Sequence, residues 1–195
     1  MNPRPVRHPG AMLAAAMLGA ALVAGSGGCA TPPTGGSTVV ETGGIERIAA
    51  SQRAAPVKLD GRLLDGTPWR LADQAGKVVV VNVWYSTCGP CEAEMPLLER
   101  AWKQLSAKHP DLRFMGIDFG ESPESGKSAL ARYGTTYPSL SDESRTLTLG
   151  LQGKANATPT TLVLDRQGRI AARVTGAVTS ESTLVGLIED VLAES

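Results

Sequence analysis

Two of the three cysteines in this 195-residue chain stand two residues apart, in Cys88-Gly89-Pro90-Cys91. If a helix starts there, one thiol lies at its tip and the other one turn in. The free N–H groups and dipole of a helix N-terminus favour negative charge, so Cys88 is the thiol that ionises and attacks. Cys91 can then reach back and break a mixed disulfide formed on Cys88, which is thiol–disulfide exchange. Two blander uses of the pair compete. A zinc half-site needs two more ligands, and the chain offers only Cys29, His8 and His109. A structural disulfide across two residues closes a loop too short to restrain much of the unfolded chain. Redox chemistry is favoured if a strand runs into the pair and a helix leaves it.

The flanking sequence provides both. Gly76-Lys77 leads into Val78-Val79-Val80-Val81-Asn82-Val83-Trp84, a continuous run of the kind that a strand buried on both faces shows. Residues 92–109 read as a helix, with Leu97, Leu98, Ala101, Trp102 and Leu105 at 3/4 spacing and His109-Pro110 as its stop. A second central strand is expected over 112–119, and a helix over 122–133 behind Ser-Pro-Glu-Ser. Strands over 160–165 and 169–175 form a hairpin around Arg166-Gln167-Gly168, and an amphipathic helix over 179–192 closes the chain. Near the start of the domain, Val57-Lys58-Leu59 and Trp69-Arg70-Leu71 flank the turn residues Asp65-Gly66-Thr67-Pro68, suggesting another hairpin. The order is β-α-β-α followed by a β-hairpin and a helix, an α/β arrangement with parallel strands first and an antiparallel pair last.

On these residues a family resemblance rests. Val81-Asn82-Val83-Trp84-Tyr85-Ser86-Thr87-Cys88-Gly89-Pro90-Cys91-Glu92-Ala93-Glu94-Met95-Pro96 resembles the active-site segment of the TlpA/ResA-type thioredoxins, extracytoplasmic thiol–disulfide oxidoreductases that are often membrane-anchored. Ala157-Thr158-Pro159-Thr160-Thr161 and the following Leu162 to Arg169 resemble that family's cis-proline segment and hairpin. The resemblance implies a thioredoxin-like fold, a central mixed sheet flanked by helices, over residues 54–195. It implies Cys88 as nucleophile, Cys91 as resolving thiol, and a cis Thr158–Pro159 peptide facing them whose Thr158 backbone pairs with an extended substrate segment. Thr87, Gly89 and Pro90 would line the substrate-facing rim. Glu94 matches the carboxylate typical of the ResA-like group; partly buried, it could take the Cys91 proton as general base, whereas in solvent it would be an ordinary helix side chain. Asn82 stands where cytosolic thioredoxins carry a buried Asp, and an amide cannot accept a proton. Pro96 matches the proline that kinks the active-site helix. Thr87, where Trp is usual, and Tyr85, where a small residue is usual, depart from the pattern and put partner identity in doubt.

The first 53 residues differ in kind. Arg4 and Arg7, an uncharged apolar run from Ala11 to Ala24 and the small residues Gly25 to Gly28 read as a secretory signal peptide over 1–28. Its 14 residues are too few for a membrane span, which takes about 20. Cys29 follows Ser26-Gly27-Gly28 as in a bacterial lipobox, making it a candidate lipidation site; cleavage after Ala30 would suit plain secretion instead. Residues 29–53, rich in Gly, Thr and Pro up to Gly44, read as a flexible tether. Lys plus Arg balance Asp plus Glu at 19 each, and residues 55–195 carry 15 basic and 17 acidic side chains, so nucleic acid is not an expected partner.

The expected activity is therefore disulfide chemistry on exported proteins with no cofactor beyond the cysteine pair and no metal. Expected partners are exported protein thiols and disulfides, apocytochrome c among the plausible clients by family analogy, and a membrane thiol–disulfide donor that resets the pair. Gly-Pro between the cysteines resembles reducing thioredoxins and points to a reductant. An oxidase or isomerase would use the same residues in reverse. A metal or ligand carrier is disfavoured, since copper-carrier relatives use CxxxC and a distant His. So is a peroxidase, which needs Thr where Tyr85 stands.

Overall fold

The computed structural model describes residues 39–41 and 44–194; the expected signal peptide, 1–28, and Cys29 lie outside the described residues. Strand β5 (Val78–Trp84) is buried along its whole length. Its alternate side chains serve two separate cores. Val78, Val80 and Trp84 face one cluster, and Val79, Val81 and Val83 face the other, as the period-2 geometry of a strand requires. Parallel to β5 runs β6 (Leu112–Phe119), and parallel to that β7 (Ser139–Asp142). On the other side of β5 lies β8 (Thr160–Leu164), antiparallel, and then β9 (Ile170–Thr175). Helix α1 (Gly89–Ser106), helix α2 (Pro123–Tyr133) and helix α3 (Glu181–Leu192) all contribute to the first core, for example through Met95, Leu98, Ala129, Leu184 and Ile188. Right-handed β-α-β crossovers place α1 and α2 on one face of the sheet. Val57, Leu59, Leu71 and Leu151 cover the opposite face.

Expected and observed elements agree along the central strands and diverge at the periphery. The hairpin is present, but its ladder joins β3 (Asp60–Arg62) to β4 (Pro68–Arg70) as a separate two-stranded sheet. Val57 and Leu59 instead bury their side chains against the main sheet. No strand is expected over Ser139–Asp142, whose alternation is mostly polar. It forms because β6 offers an open ladder, because Leu140 is fully buried, and because the Asp142 carboxylate accepts backbone N–H groups from Thr146, Leu147 and Thr148.

The tether expected over 29–53 is corrected in its C-terminal half. Strand β1 (Val39–Glu41) pairs with β2 (Ile45–Arg47), and β2 pairs antiparallel with β9, extending the sheet to seven strands. Ile45 packs on one core and Ile48 on the other, and the Ile48 N–H donates to the Ala171 carbonyl at 2.8 Å. The Arg53 guanidinium, 3% exposed, then reaches the Asp165 carboxylate at 3.0 Å in the β8–β9 turn and the Glu194 carboxylate beyond α3. These few apolar side chains and one buried arginine dock a segment that composition alone marks as unstructured.

Candidate active site

Cys88 is the N-cap of α1: its Sγ accepts the Cys91 backbone N–H at 3.1 Å, and Pro90 sits in the first turn, where a missing N–H costs nothing. The helix thus begins at Gly89, three residues before the expected start at Glu92, and puts the pair at its positive end. Cys88 and Cys91 are joined in a disulfide with Cα atoms 5.2 Å apart. Cys91 is wholly buried and Cys88 nearly so, with Thr87, Gly89 and Pro90 exposed around it. Tyr85 is half-buried and packs on the core beneath.

The peptide between Thr158 and Pro159 is cis. Antiparallel register pairs Val83 with Thr160, so Pro159 and Thr158 come level with the end of β5 from which the cysteines emerge. The Pro159 carbonyl is taken by the Gly176 N–H at 3.0 Å. Thr158, half-buried, spends neither its backbone N–H nor its carbonyl on a hydrogen bond among the described residues. Its main chain is free to pair with an extended segment.

Glu94 is fully buried one turn beyond Cys91. Its carboxylate accepts from the Asn82 side-chain amide at 2.7 Å and from the Val178 backbone N–H at 2.7 Å. Burial pushes its pKa from 4.5 up to about 7, the two hydrogen bonds pulling the other way. Asn82 also donates to Thr161 Oγ1 at 3.1 Å, which ties the carboxylate to the strand that follows Pro159. Asn82 therefore complements Glu94: an amide on β5 steadies an acid contributed by α1. Reading positions singly missed this pairing, and it missed Val178 altogether.

Also unforeseen is the arrangement around Ser86, inside the turn closed by the Cys88 N–H on the Tyr85 carbonyl. The Ser86 N–H and hydroxyl both donate to Glu121, each at 2.5 Å, and its carbonyl accepts from the Tyr133 hydroxyl at 2.9 Å. Against Glu121 lies the carboxyl of Asp118, fully buried in β6. A lone acid among the apolar residues in the second half of β6 is the signal that could have found this cluster. Among the described residues no group of three or more His, Cys, Asp or Glu side chains is placed to hold a metal ion.

The Redoxin family's sequence pattern matches residues 49–188. This chain belongs to the Redoxin family. HelX of Rhodobacter capsulatus, a thiol:disulfide interchange protein, is 31% identical over 145 residues, 74% of this chain and 77% of HelX. ResA of Geobacillus thermodenitrificans, a thiol-disulfide oxidoreductase, is 30% identical over 118 residues, 60% of this chain and 66% of ResA. A secreted thiol-disulfide isomerase from Corynebacterium glutamicum superposes with a TM-score of 0.68 at 28% identity, over 82% of this chain and 96% of that one. The fold is thioredoxin-like, the Redoxin type is that of TlpA and ResA, and the protein is a thiol–disulfide oxidoreductase.

Proposed function

We propose that the protein reduces disulfides in exported proteins, with Cys88 as the attacking thiol. The observation that carries this is the joint geometry of Cys88 at a helix tip, Cys91 one turn in, and a buried carboxyl one turn further along. Ionised Cys88 attacks a client disulfide, forming a mixed disulfide and releasing one client thiolate. Cys91 then gives its proton to the Glu94 carboxylate and attacks Cys88 Sγ. That step expels the second client sulfur as a thiolate, which takes a proton from solvent, and leaves the Cys88–Cys91 disulfide; two electrons have passed to the client. The cysteine pair supplies the electrons, so no bound cofactor is required. Thr158 and Pro159 would hold the client segment, with Thr87, Gly89 and Pro90 forming the rim.

The reaction needs a second partner, a membrane thiol–disulfide donor that reduces the pair again. Residues 1–28 would direct export and Cys29 would carry a lipid anchor, leaving the folded domain on the outer face of the membrane. Among the described residues no helix is long and apolar enough to cross a membrane. Apocytochrome c is the client class suggested by the resemblance to the TlpA/ResA type. Direction of electron flow is tested by equilibrating the full chain against glutathione. A reducing potential supports the proposal, and one at the oxidising end transfers the same residues to an oxidase or isomerase. Cys91→Ser should trap mixed disulfides through Cys88, visible by mass spectrometry, and Cys88→Ser should trap none. Trapping through Cys91 in Cys88→Ser would reverse the assignment of roles.

A further inference from the structure

Asp118 is a fully buried acid for which the exchange chemistry has no use. Among the described residues neither of its oxygens meets an N–H or O–H donor, and the polar side chain it meets is the Glu121 carboxyl. Gly126 of α2 closes over it so tightly that a Cβ there would fall 2.0 Å from Asp118 Oδ2. Two carboxylates cannot face each other ionised in such a place, so one proton must lie between them. Glu121 is the half-exposed member and already accepts two hydrogen bonds from Ser86, which favours its charged form. The proton therefore belongs to Asp118.

We propose that Asp118 is a neutral carboxylic acid that donates a hydrogen bond to the Glu121 carboxylate, and that the two are positioning residues which hold the Tyr85–Cys88 turn through Ser86. The proposal rests on Cys88 being the reacting thiol. Every polar group of Ser86 is then held from outside its own turn: N–H and hydroxyl by Glu121, carbonyl by Tyr133 and, at 3.5 Å, by Arg132. Burial and the Glu121 carboxylate push Asp118 up to about 9, while at Glu121 burial is outweighed by the hydrogen bonds from Asp118 and then from Ser86, which hold it down. Among the described residues no ion pair reaches Asp118 or Glu121. Arg132 lies over the Tyr133 ring at 4.9 Å and Arg145 over the Phe119 ring at 5.3 Å, and neither is ion-paired with Asp118 or Glu121. From β5, the Trp84 indole N–H goes to Ser139.

An amide can make the same donation without a titrating proton, and this separates a donor from a charge. The full chain, reduced, is reacted with the neutral disulfide 4,4′-dithiodipyridine, which reads Cys88 without a client. At pH 7, Asp118→Asn should match the wild type, and Asp118→Ala should react about fivefold more slowly. Between pH 7 and 10 the wild-type rate should fall about fivefold relative to Asp118→Asn, as the Asp118 proton leaves. Infrared spectra of the wild type at pH 8 should show a protonated carboxylic acid that Asp118→Asn lacks. If Asp118→Ala does not fold, Ser86→Ala takes its place: it should slow the reaction and keep the acid band. No acid band at pH 8, Asp118→Asn as slow as Asp118→Ala, or a flat rate ratio to pH 10 would each overturn the proposal. A probe reaction that survives unchanged in Cys88→Ser would instead strike the assignment of Cys88.

Discussion

Replacing Glu94 by Gln removes a buried charge while keeping the shape of the side chain. Folding raises the Glu94 pKa from 4.5 to about 7, so between those values the folded protein binds a proton that the unfolded chain has released. Stability must then fall as pH rises across this window and level off above it. The full shift corresponds to about 3 kcal/mol at 1.36 kcal/mol per unit, of which about 2.5 kcal/mol develops between pH 5 and pH 8. In Glu94→Gln that slope is absent. Hydrogen bonds lost to Asn82 or Val178 cost the variant a roughly constant amount at both pH values. The quantity to measure is therefore the difference of differences: the variant should gain about 2.5 kcal/mol on the wild type from pH 5 to pH 8. For a domain of this size that corresponds to roughly 5–10 °C in Tm. The assay is urea or thermal unfolding of the oxidised protein, in which the disulfide-bonded cysteines do not titrate. Asp118, Glu121 and Asp165 also have shifted pKa values, but they are common to both proteins and cancel. A gain below about 0.5 kcal/mol, or one of opposite sign, would refute the argument that burial dominates at Glu94.

Two further substitutions test the frame around the site. Arg53→Ala removes one of the two arginines paired with the buried Asp165 carboxylate, which keeps Arg169 and two backbone N–H donors, and should cost about 1.5 kcal/mol in urea unfolding, whereas a loss below about 0.5 kcal/mol would mean the N-terminal segment adds little. Gly126→Ala forces a methyl group against the Asp118 carboxyl and should lower stability by about 1–3 kcal/mol, with a smaller penalty when Asp118 is also Ala.

How far the sequence could be read depended on what stabilises each piece. Strands β5 and β6 are legible to the residue, β5 because burial on both faces leaves an apolar run broken only by Asn82, and β6 because apolar side chains dominate it despite Arg113 and Asp118. The cysteine pair is legible because a strand and a helix bracket it within a few residues. Glu94 could be placed on the face of Cys91 by helical spacing alone. Its partners could not: Asn82 is 12 positions away across a strand and a helix, and Val178 is 84 away. Strands β2 and β7 are short and polar, and they exist only because β9 and β6 present open ladders beside them. Local pattern carries no trace of that. The Asp118–Glu121 pair lies between these cases, since the lone acid in β6 is visible but its orphaned carboxyl is not.

The Arg53 clasp has a mechanical consequence. Asp165 follows the last residue of β8, at the end of the sheet away from the cysteines, and Glu194 follows α3. The two chain ends of the domain thus close on one guanidinium far from the redox pair. Force arriving through the N-terminal segment is taken up by the β2–β9 ladder and by this clasp, both peripheral to β5. The turn that carries Cys88 stays outside the load path, so a domain held at a surface can be tugged without disturbing the spacing of its thiols.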